Sequence, residues 1–590
     1  LAPLVFRVSL GFARYRPGML GELATPRLLS VARGEEEPDV VVEGAQVFGA
    51  FTKEWLEGDV AIADGRFAGI GSYDGGTRID GSGRWLCAGF IDAHMHVESS
   101  KLMVGELARL LVARGTTTIV CDPHELANAL GPEGVHWFLD ACAGLPMDVL
   151  ALAPACVPAS PFESPRAPLS LADLAGILAR DRVLGLAEMM NFPAVIAGAP
   201  GELAKIALAE GKRVDGHAPG VHGPQLDAYL ATGIGTDHEA TTLAEALEKR
   251  RKGAWVLLRE ASNARNLRDL LPLVRDYGPE RCAFCTDDRE PDLLLREGHI
   301  DQMCRVAVAE GIPPEDALLL ATLHPALCHG LPRVGAIAPG YRADCVLLDD
   351  LGSFRTSLVL KDGRVVAEDG VAAPFEVAAA PDWVRDSVRI APLPPDAFRL
   401  EHHGERVRAI GLVRDQIWTE HLLLAPSVSD GRVLADPERD LAKIAVVERH
   451  HATGRIGLGL VRGFGLRHGA MATTVAHDAH NIVAVGMSDD DLARCVERLA
   501  EIGGGISIYE DGELRAELAL PVAGLMSEQP AGAVVERLDE LHAVVRGLGS
   551  TLAAPFMTLS FLALSVIPEL KITDRGLVDV ERFEIVPFDV

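Results

Sequence analysis

Eight short apolar runs, separated by longer helical stretches, lie between Trp85 and Asp288 and constrain the fold more than any other feature. Alternation of strand and helix patterns is typical of parallel βαβ units. The runs end in FIDAHMH, TTTIVCDP, VLALAPACVP, VLGLAEMM, RVDGHAPG, GIGTDHEA, AWVLLREAS and CAFCTDD. Eight such units predict a closed (β/α)8 barrel, an α/β fold, over residues 85–333.

Short-strand patterns flank the barrel on both sides. VVVEGAQVFGA precedes it and VGAIAPGYRADCVLLDD follows it, each with β-branched residues between Gly and Asp turns. We therefore predict one small β-domain from residues 39–84 and 334–373, with the barrel inserted in it. Residues 1–38 would form an N-terminal arm. A Pro-rich linker near 374–398 would lead to a C-terminal α/β or α+β domain over residues 390–590.

Composition narrows the function classes. The chain has 590 residues and a formal net charge of −28, which argues against a nucleic-acid partner because phosphate binding needs clustered Lys and Arg. Ten scattered cysteines predict reduced thiols in a cytoplasmic protein. The apolar stretch 557–570 is interrupted by polar residues and is shorter than the roughly 20 residues of a membrane helix, so we expect no membrane partner.

Potential metal ligands recur where the predicted strands end. His94 and His96 stand two residues apart, so in an extended chain both side chains point to the same side. Further candidates follow strands four, five, six and eight. Because the carboxyl ends of barrel strands meet at one mouth, where barrel enzymes place their active sites, we expect six ligands to converge. They are His94, His96, Glu188, His217, His238 and Asp287.

Four imidazoles and two carboxylates suit Zn²⁺, Fe²⁺ or Mn²⁺, and six ligands exceed what one catalytic ion normally uses. Two ions bridged by Glu188 are the economical arrangement. A pair about 3.5–4 Å apart could hold a bridging water, lower its pKa and deliver hydroxide to an sp² carbon. Asp287 is the predicted general base.

The motifs GFIDAHMHVESS and GAIAPGYRADCVLLD, together with the order of the later ligands, resemble the amidohydrolase superfamily. The resemblance covers the barrel and the β-domain. Many members of that superfamily bridge their metals with a carboxylated lysine after strand four. No lysine occurs here between Lys101 and Lys205, so the bridge falls to Glu188.

Further motifs narrow the resemblance to the adenine deaminase family: HVESS, CDPHE, GLAEMMNFP, DGHAPG and CTDDR, and in the C-terminal region TTVAHDAHNIVAVG, AGLMS and MTLSFLALSVIPEL. Nearly the whole chain is covered. The resemblance implies hydrolytic deamination of adenine to hypoxanthine and ammonia by a metal-bound hydroxide, in purine salvage. The H-x-E with P-C-x-x-C signature of zinc deaminases is absent, so any deamination would run on different metal chemistry. We expect two divalent ions, with Mn or Fe favoured over Zn. We also expect a homo-oligomer.

Loop position and family resemblance suggest which residues line the substrate pocket. Ser99, Ser100, Asp122 and Glu125 follow strands one and two, and Asp288 follows strand eight. The purine ring nitrogen beside the attacked carbon must be protonated to accept negative charge. Glu125 and Asp288 are the candidate proton donors.

Two other functions remain open. The same metal hydroxide could hydrolyse a cyclic or acetylated amide, because the barrel type does not fix the substrate. The barrel could also be a noncatalytic scaffold that binds a partner, although six retained ligands argue against that reading.

Some polar motifs have simpler explanations. Cys282 and Cys285 form a C-x-x-C without a second pair, and on a strand their side chains would point to opposite faces, which favours buried cysteines. His222 and His324 lack ligand partners nearby in the sequence, so we interpret both as structural.

Two C-terminal clusters are more ambiguous. HDAHN at residues 477–481 could bind a further metal, reach over the barrel mouth or organise a turn. The cluster of Glu448, His450 and His451 would be explained by a solvated strand edge. We predict a catalytic role for neither cluster.

Overall fold

The computed structural model describes residues 25–414 and 416–590. Of the predicted N-terminal arm, residues 1–24 lie outside the described part. The arm continues as a short helix, whose first turn is capped because the Thr25 hydroxyl accepts the backbone N–H of Leu28. The elements before the barrel are α1 (Pro26–Ala32), β1 (Val40–Glu43), β2 (Gln46–Gly49), β3 (Glu54–Glu57), β4 (Asp59–Ala63), β5 (Arg66–Gly71), β6 (Thr77–Asp80) and β7 (Trp85–Ala88).

Residues 90–329 form eight strands and the helices that connect them, and each predicted apolar run contains one strand. The strands are β8 (Phe90–Met95), β9 (Thr116–Cys121), β10 (Asp148–Ala153), β11 (Val183–Leu186), β12 (Arg213–Val214), β13 (Thr236–Asp237), β14 (Trp255–Arg259) and β15 (Cys282–Cys285). The helices are α2 (Val104–Val112), α3 (His124–Leu130), α4 (Pro132–Ala141), α5 (Leu171–Leu178), α6 (Phe192–Ile196), α7 (Pro200–Leu208), α8 (Gly223–Ala231), α9 (Leu243–Arg251), α10 (Leu267–Tyr277), α11 (Pro291–Arg296), α12 (Ile300–Ala309), α13 (Pro314–Ala321) and α14 (Leu323–His329).

Two blocks of parallel strands close the barrel. Strands β8 to β12 pair in chain order, and β13 to β15 form the second block. The backbone N–H of Gly235 donates to the carbonyl of Val214 at 3.1 Å and joins the blocks. On the other side, the Asp287 N–H donates to the His94 carbonyl at 3.0 Å, and the His96 N–H donates to the Asp287 carbonyl at 3.3 Å. The predicted barrel is confirmed, and its closure aligns the last strand end with the first.

The segments before and after the barrel share one sheet. After the barrel come β16 (Cys345–Leu348), β17 (Thr356–Lys361), β18 (Arg364–Glu368) and β19 (Val371–Ala372). Strand β7 pairs antiparallel with β16 in a sheet of order β19-β18-β17-β16-β7-β2-β3, while β5-β4-β1-β6 form a second sheet. Val60 and Phe67 from one sheet pack with Leu86 and Leu347 from the other. The barrel is therefore inserted in a small β-domain, as the sequence predicts.

The C-terminal region is a mixed α/β domain, which also agrees with the predicted fold. Its main sheet has the order β21-β20-β25-β24-β27-β26-β28-β29, and the apolar face of α15 packs on it. The elements are β20 (Val407–Leu412), β21 (Thr419–Leu424), β22 (Ser427–Ser429), β23 (Arg432–Leu434), β24 (Leu441–Val447), β25 (Ile456–Arg462), β26 (Ala470–Thr473), β27 (Ile482–Gly486), α15 (Asp489–Glu501), β28 (Gly505–Glu510), β29 (Glu513–Ala519), α16 (Ala531–Gly547), α17 (Pro555–Phe561), β30 (Leu570–Thr573), β31 (Gly576–Asp579) and β32 (Glu584–Val586).

Helix α17 and the chain after it cover the barrel mouth. They contribute to one buried apolar cluster with residues from the loops that follow β10, β11 and β14. Burial of this apolar surface stabilises the contact between the C-terminal domain and the barrel. The cluster includes Met557, Phe561, Leu564 and Ile567 from the cover, and Cys156, Ala159, Met190, Ala261 and Ala264 from the barrel.

No helix among the described residues is long and apolar enough to cross a membrane.

Candidate active site

The six predicted ligands meet at the carboxyl ends of the barrel strands, and all six are buried. His94 lies within β8, His96 and His238 directly follow their strands, and the others lie two or three residues past a strand end. Short distances past parallel strands keep the side chains at one level of the barrel. The set is His94, His96, Glu188, His217, His238 and Asp287.

The imidazoles of His94 and His96 face each other through their Nε2 atoms. His94 Nδ1 lies 2.9 Å from a carboxylate oxygen of Asp215, and His96 Nδ1 lies 3.1 Å from the carbonyl oxygen of Asp122. In its neutral form each ring would therefore carry its proton on Nδ1 and present a bare Nε2, the arrangement that metal-binding histidines adopt. The two Nε2 atoms are 3.3 Å apart. A cation shared by both rings would fit these donors.

Glu188 lies between two pairs of histidines. Its Oε1 is 3.3 Å from His96 Nε2 and 3.7 Å from His94 Nε2. Its Oε2 is 2.7 Å from His217 Nδ1 and 3.3 Å from His238 Nε2. Burial raises the pKa of Glu188, but the charge of His238 and hydrogen bonds to the histidines hold it well below the usual range. One oxygen of an ionised carboxylate thus faces each pair.

Asp287 connects the ligands to a buried arginine. Its Oδ1 is 3.1 Å from His96 Nε2 and 3.7 Å from His94 Nε2. Its Oδ2 accepts a hydrogen bond from Arg259 at 3.0 Å, and Arg259 also pairs with Glu239. Burial raises the pKa of Asp287, but the hydrogen bond to His96 and the charge of Arg259 hold it well below the usual range. The carboxylate is ionised at neutral pH, as metal ligation requires.

A second group of carboxyl side chains lies beside the ligands. The Ser99 hydroxyl is 2.5 Å from Oδ1 of Asp288 and 3.0 Å from Oε1 of Glu125, and all three residues are buried. Ser100 behaves differently, since its hydroxyl donates to the Val97 carbonyl at 2.5 Å. The structure therefore brings three predicted pocket residues together, whereas the Ser100 side chain is bound to local backbone.

The carboxylate of Asp122 contacts a histidine that the sequence did not predict as a site residue. One carboxylate oxygen of Asp122 lies 3.0 Å from His124 Nδ1. His124 Nδ1 is also 3.9 Å from Oε1 of Glu188, and its Nε2 is 3.5 Å from Oδ1 of Asp478. His124 thus connects the barrel ligands with the C-terminal domain.

The HDAHN motif forms a turn between β26 and β27 that reaches over the barrel mouth. We call residues 476–481 the C-terminal turn. His477 Nε2 is 3.7 Å from Oδ1 of Asp288, and His480 Nε2 is 3.3 Å from Oε2 of Glu125. Of the three possibilities left open by the sequence, the structure shows that the turn contacts the site residues of the barrel.

Sequence comparison divides the chain in the same way. Residues 85–366 match the amidohydrolase family, and residues 416–584 match the adenine deaminase C-terminal domain. The chain is 47% identical to the adenine deaminase of Cereibacter sphaeroides, over 95% of this chain and 99% of that protein. It is 45% identical to adenine deaminase 2 of Carboxydothermus hydrogenoformans, over 95% and 98% of the two chains. This chain belongs to the adenine deaminase family.

A third relative, the adenine deaminase of Nitratidesulfovibrio vulgaris, is 46% identical over 94% of this chain and 97% of that protein. Among solved structures, an enamidase is similar over 56% of this chain and 96% of that chain, with 17% identity and a TM-score of 0.43. In this adenine deaminase family member, the six predicted ligands lie in the amidohydrolase match and the C-terminal turn lies in the C-terminal match.

The sequence did not predict four buried ionisable residues that lie next to the predicted ligands. They are Asp215, Glu239, Arg259 and His124. Asp215 stands two residues before His217 in DGHAPG, so the alternation of side chains along a strand could have indicated it. Arg259 ends β14, a strand to which no ligand had been assigned. Its role depends on carboxylates from two other loops, which the sequence does not connect.

The interpretation of Glu448 and His450 as a solvated strand edge is wrong, because both are buried. Glu448 accepts the backbone N–H groups of His450 at 2.6 Å, His451 at 2.7 Å and Thr453 at 2.9 Å, and so closes a turn. His450 Nε2 lies 2.7 Å from the Ala479 carbonyl. His450 therefore supports the C-terminal turn, whereas Glu448 closes the turn that follows β24, and of the three residues only His451 is exposed.

The structural reading of the remaining motifs is confirmed. Cys282 and Cys285 are buried, free of disulfides and packed in different apolar clusters, as expected for opposite faces of a strand. His324 Nδ1 lies 3.1 Å from the Cys282 carbonyl. His222 is exposed, with Nδ1 2.8 Å from the Gly220 carbonyl.

Proposed function

We propose that the chain hydrolyses adenine to hypoxanthine and ammonia. The observation that carries this proposal is the convergence of six buried metal-ligand side chains with a Ser99–Glu125–Asp288 group at one barrel mouth. Family membership supports adenine over a cyclic or acetylated amide, because the similarity to adenine deaminases extends through the C-terminal domain.

Two divalent ions would be held by these side chains, with Glu188 between them. One set comprises His94, His96 and Asp287, and the other comprises His217 and His238. The bare Nε2 atoms of the first pair and the split contacts of Glu188 support this division. When bound, such a pair supplies hydroxide at neutral pH. We propose Mn²⁺ or Fe²⁺ over Zn²⁺, since the zinc deaminase signature is absent.

Asp287 is the proposed general base. Water adds its oxygen to the purine carbon that bears the amino group, and Asp287 accepts a proton from that water. The same proton then goes to the amino nitrogen as the carbon–nitrogen bond breaks, so that ammonia leaves. As the carbon–oxygen double bond forms, the hydroxyl proton that remains on the adduct is released and replaces the proton that the carboxylic acid gave to the ring nitrogen, so the products are neutral hypoxanthine and ammonia. The hydrogen bond from Arg259 fixes one oxygen of Asp287 and leaves the other directed at the ligand group.

Glu125 is the proposed proton donor to the ring nitrogen. The Ser99 hydroxyl has one proton but lies within hydrogen-bond distance of two carboxyl groups, so one of these groups must itself donate. Burial and the negative charges of Glu98 and Asp288 raise the pKa of Glu125 well above its usual range. Glu125 is therefore the protonated partner, and Asp288 accepts from Ser99.

The wider setting follows from the chemistry. A free purine base is the proposed substrate, in purine salvage, and the ten free and buried cysteines support a reducing cytoplasmic setting. Ser100 and Asp122 stay in the proposal as residues near the pocket, and a homo-oligomer stays a prediction.

Ammonia release tests the proposed function. Full-length protein purified without oxygen and reconstituted separately with Mn²⁺, Fe²⁺ and Zn²⁺ should be assayed with adenine, adenosine, cytosine and a cyclic imide. We expect turnover of adenine and little of adenosine. Turnover of the imide alone would support the amidohydrolase alternative, and equal rates with adenine and adenosine would reject a free-base enzyme.

A further inference from the structure

The imidazole of His480 is held in one orientation and one tautomer. Its Nδ1 accepts the backbone N–H of Ala476 at 3.1 Å, so the proton of the neutral ring is on Nε2. Burial and the nearby His477 and Arg449 lower the pKa of His480 well below its usual range, which keeps the ring neutral. A protonated Nε2 has no lone pair for a metal ion, so this nitrogen can only donate a hydrogen bond.

The atom that His480 Nε2 faces is Oε2 of Glu125, at 3.3 Å. Both side chains are fully buried, and neither atom has a hydrogen-bond partner elsewhere among residues 25–414 and 416–590. The other oxygen of Glu125 faces Ser99. A donor on Oε2 would therefore fix the rotation of the carboxyl group and leave the proton of the acid on Oε1.

The C-terminal sheet sets the position of His480. Arg449, at the end of β24, donates its Nε–H to the His480 carbonyl and its backbone N–H to Oδ1 of Asn481 at 3.1 Å. The Asn481 amide donates to the Ser164 carbonyl at 3.1 Å. The N–H of Ala479 donates to a Glu163 oxygen at 3.2 Å. These hydrogen bonds join the turn to both the C-terminal sheet and the barrel and so set the position of its imidazole.

We propose that His480 donates a hydrogen bond to Glu125 and is a positioning residue for the ring-proton donor, so that the C-terminal domain completes the active site. The inference rests on the proposed deamination and deepens it. His480 does not touch the reacting atoms. It acts by fixing the carboxyl group that does.

His480→Asn is the decisive variant. The asparagine Oδ1 can replace Nδ1 as the acceptor for Ala476, and asparagine tolerates the left-handed backbone at this position, where φ is 52°. The shorter side chain places no donor near Glu125. Loss of an orienting residue should lower kcat for adenine by about 10–100-fold, with metal content and melting temperature near those of the wild type. His480→Gln, which can present an N–H near the former Nε2, should recover much of kcat.

A double-mutant cycle separates positioning from general support. If His480 acts through Glu125, His480→Asn should lower kcat/KM by less than about twofold in a Glu125→Ala background. His450→Leu is the matched control, since His450 supports the same turn but does not contact Glu125. Its effect should be the same factor in both backgrounds.

Three results would overturn the positioning role: kcat unchanged in His480→Asn, an equal loss in both backgrounds, or His480→Gln as defective as His480→Asn. A wild-type protein that releases no ammonia from adenine would instead overturn the proposed function itself.

Discussion

The barrel mouth and the C-terminal turn place histidine and carboxylate side chains in the same buried space but position them differently. The barrel ligands sit at strand ends whose level is fixed by parallel pairing and by the closure between Asp287 and β8. The turn has no such ladder. It is held by the side chains of Glu163 and Arg449 from distant segments, and by its own Asn481, which pairs with the backbone of Arg449 and Ser164. Repeated backbone geometry thus builds one half of the site, and individual hydrogen bonds build the other.

Arg449 shows what is required when individual hydrogen bonds, rather than strand pairing, hold a turn in place. Its guanidinium is fully buried and donates to carbonyl oxygens of His480, Ala523 and Ser387. Burial lowers the pKa of Arg449 to about 9, since the nearby Glu448 charge compensates only in part. A buried cation of this kind is costly unless its donors are satisfied, so the turn depends on complete pairing.

Glu188→Ala should have the largest effect, because it removes the carboxylate that faces both histidine pairs. We expect metal content to fall and kcat to drop by at least about 10⁴-fold, because the proposed pair of ions would supply the hydroxide. Metal analysis and ammonia release on the same preparation measure both effects. Full occupancy by two ions in the variant would show that the carboxylate does not bridge.

Asp287→Asn should separate ligation from basicity. The amide oxygen can still coordinate a metal but cannot accept the proton, so kcat should fall by roughly 10²–10⁴-fold with much of the metal retained. Asp288→Asn is the matched comparison, because strand alternation points neighbouring side chains to opposite sides. If Asp288→Asn loses turnover with its metal intact while Asp287→Asn stays near full activity, the base has been assigned to the wrong residue.

Asn481→Ala should weaken the turn while leaving the barrel ligands in place. It leaves the Arg449 N–H and the Ser164 carbonyl without their partner, at a cost of about 1–3 kcal/mol in the free energy of unfolding. We expect kcat to fall by about 10-fold with metal content unchanged. Ser507→Ala, which removes another buried hydrogen bond in the same domain, should lower stability but not kcat. Equal losses of kcat in both variants would contradict a specific role for the turn.

Lys571→Met should have the smallest effect on activity. It tests helix α17 and the chain after it, which cover the barrel mouth. Lys571 donates to the carbonyls of Ile417 and Phe561, and burial lowers its pKa to about 7. An unfolded lysine titrates near about 10.4, so unfolding takes up a proton between these values. The free-energy penalty for burying the charged ammonium is complete below pH 7 and disappears toward pH 10. The melting temperature of the wild type should therefore rise relative to the variant from pH 7 to 9, and parallel curves would show that Lys571 is charged when folded.

The barrel was predictable from the sequence because its information is local. Each strand appears as an apolar run with a polar residue just after it, and parallel barrel strands bring such ends together whatever the loops between them do. His94 and His96 needed only their spacing. Asp215, two residues before His217, carried the same kind of signal.

Other parts of the site depend on contacts that no local pattern encodes. Glu448 seemed suited to a solvated edge because its neighbours are polar, yet it is buried and binds three backbone N–H groups. Ser100 has the same loop position as Ser99, but its hydroxyl is bound by the Val97 carbonyl. In both cases the deciding partner is a backbone group whose direction depends on the folded turn.

The sequence by itself determined the barrel, its insertion in a β-domain and which histidine and carboxylate side chains stand at the strand ends, because strand periodicity and residue type are local properties. Only the tertiary structure decided that Glu188 faces both histidine pairs and that Arg259 holds Asp287. It also decided that the turn carrying His480 lies over Glu125. The first two contacts join the ends of different barrel strands, and closure of the barrel sets their geometry. The contact between His480 and Glu125 is set by packing of the C-terminal domain against the barrel, which depends on shape complementarity between surfaces that are not adjacent in sequence.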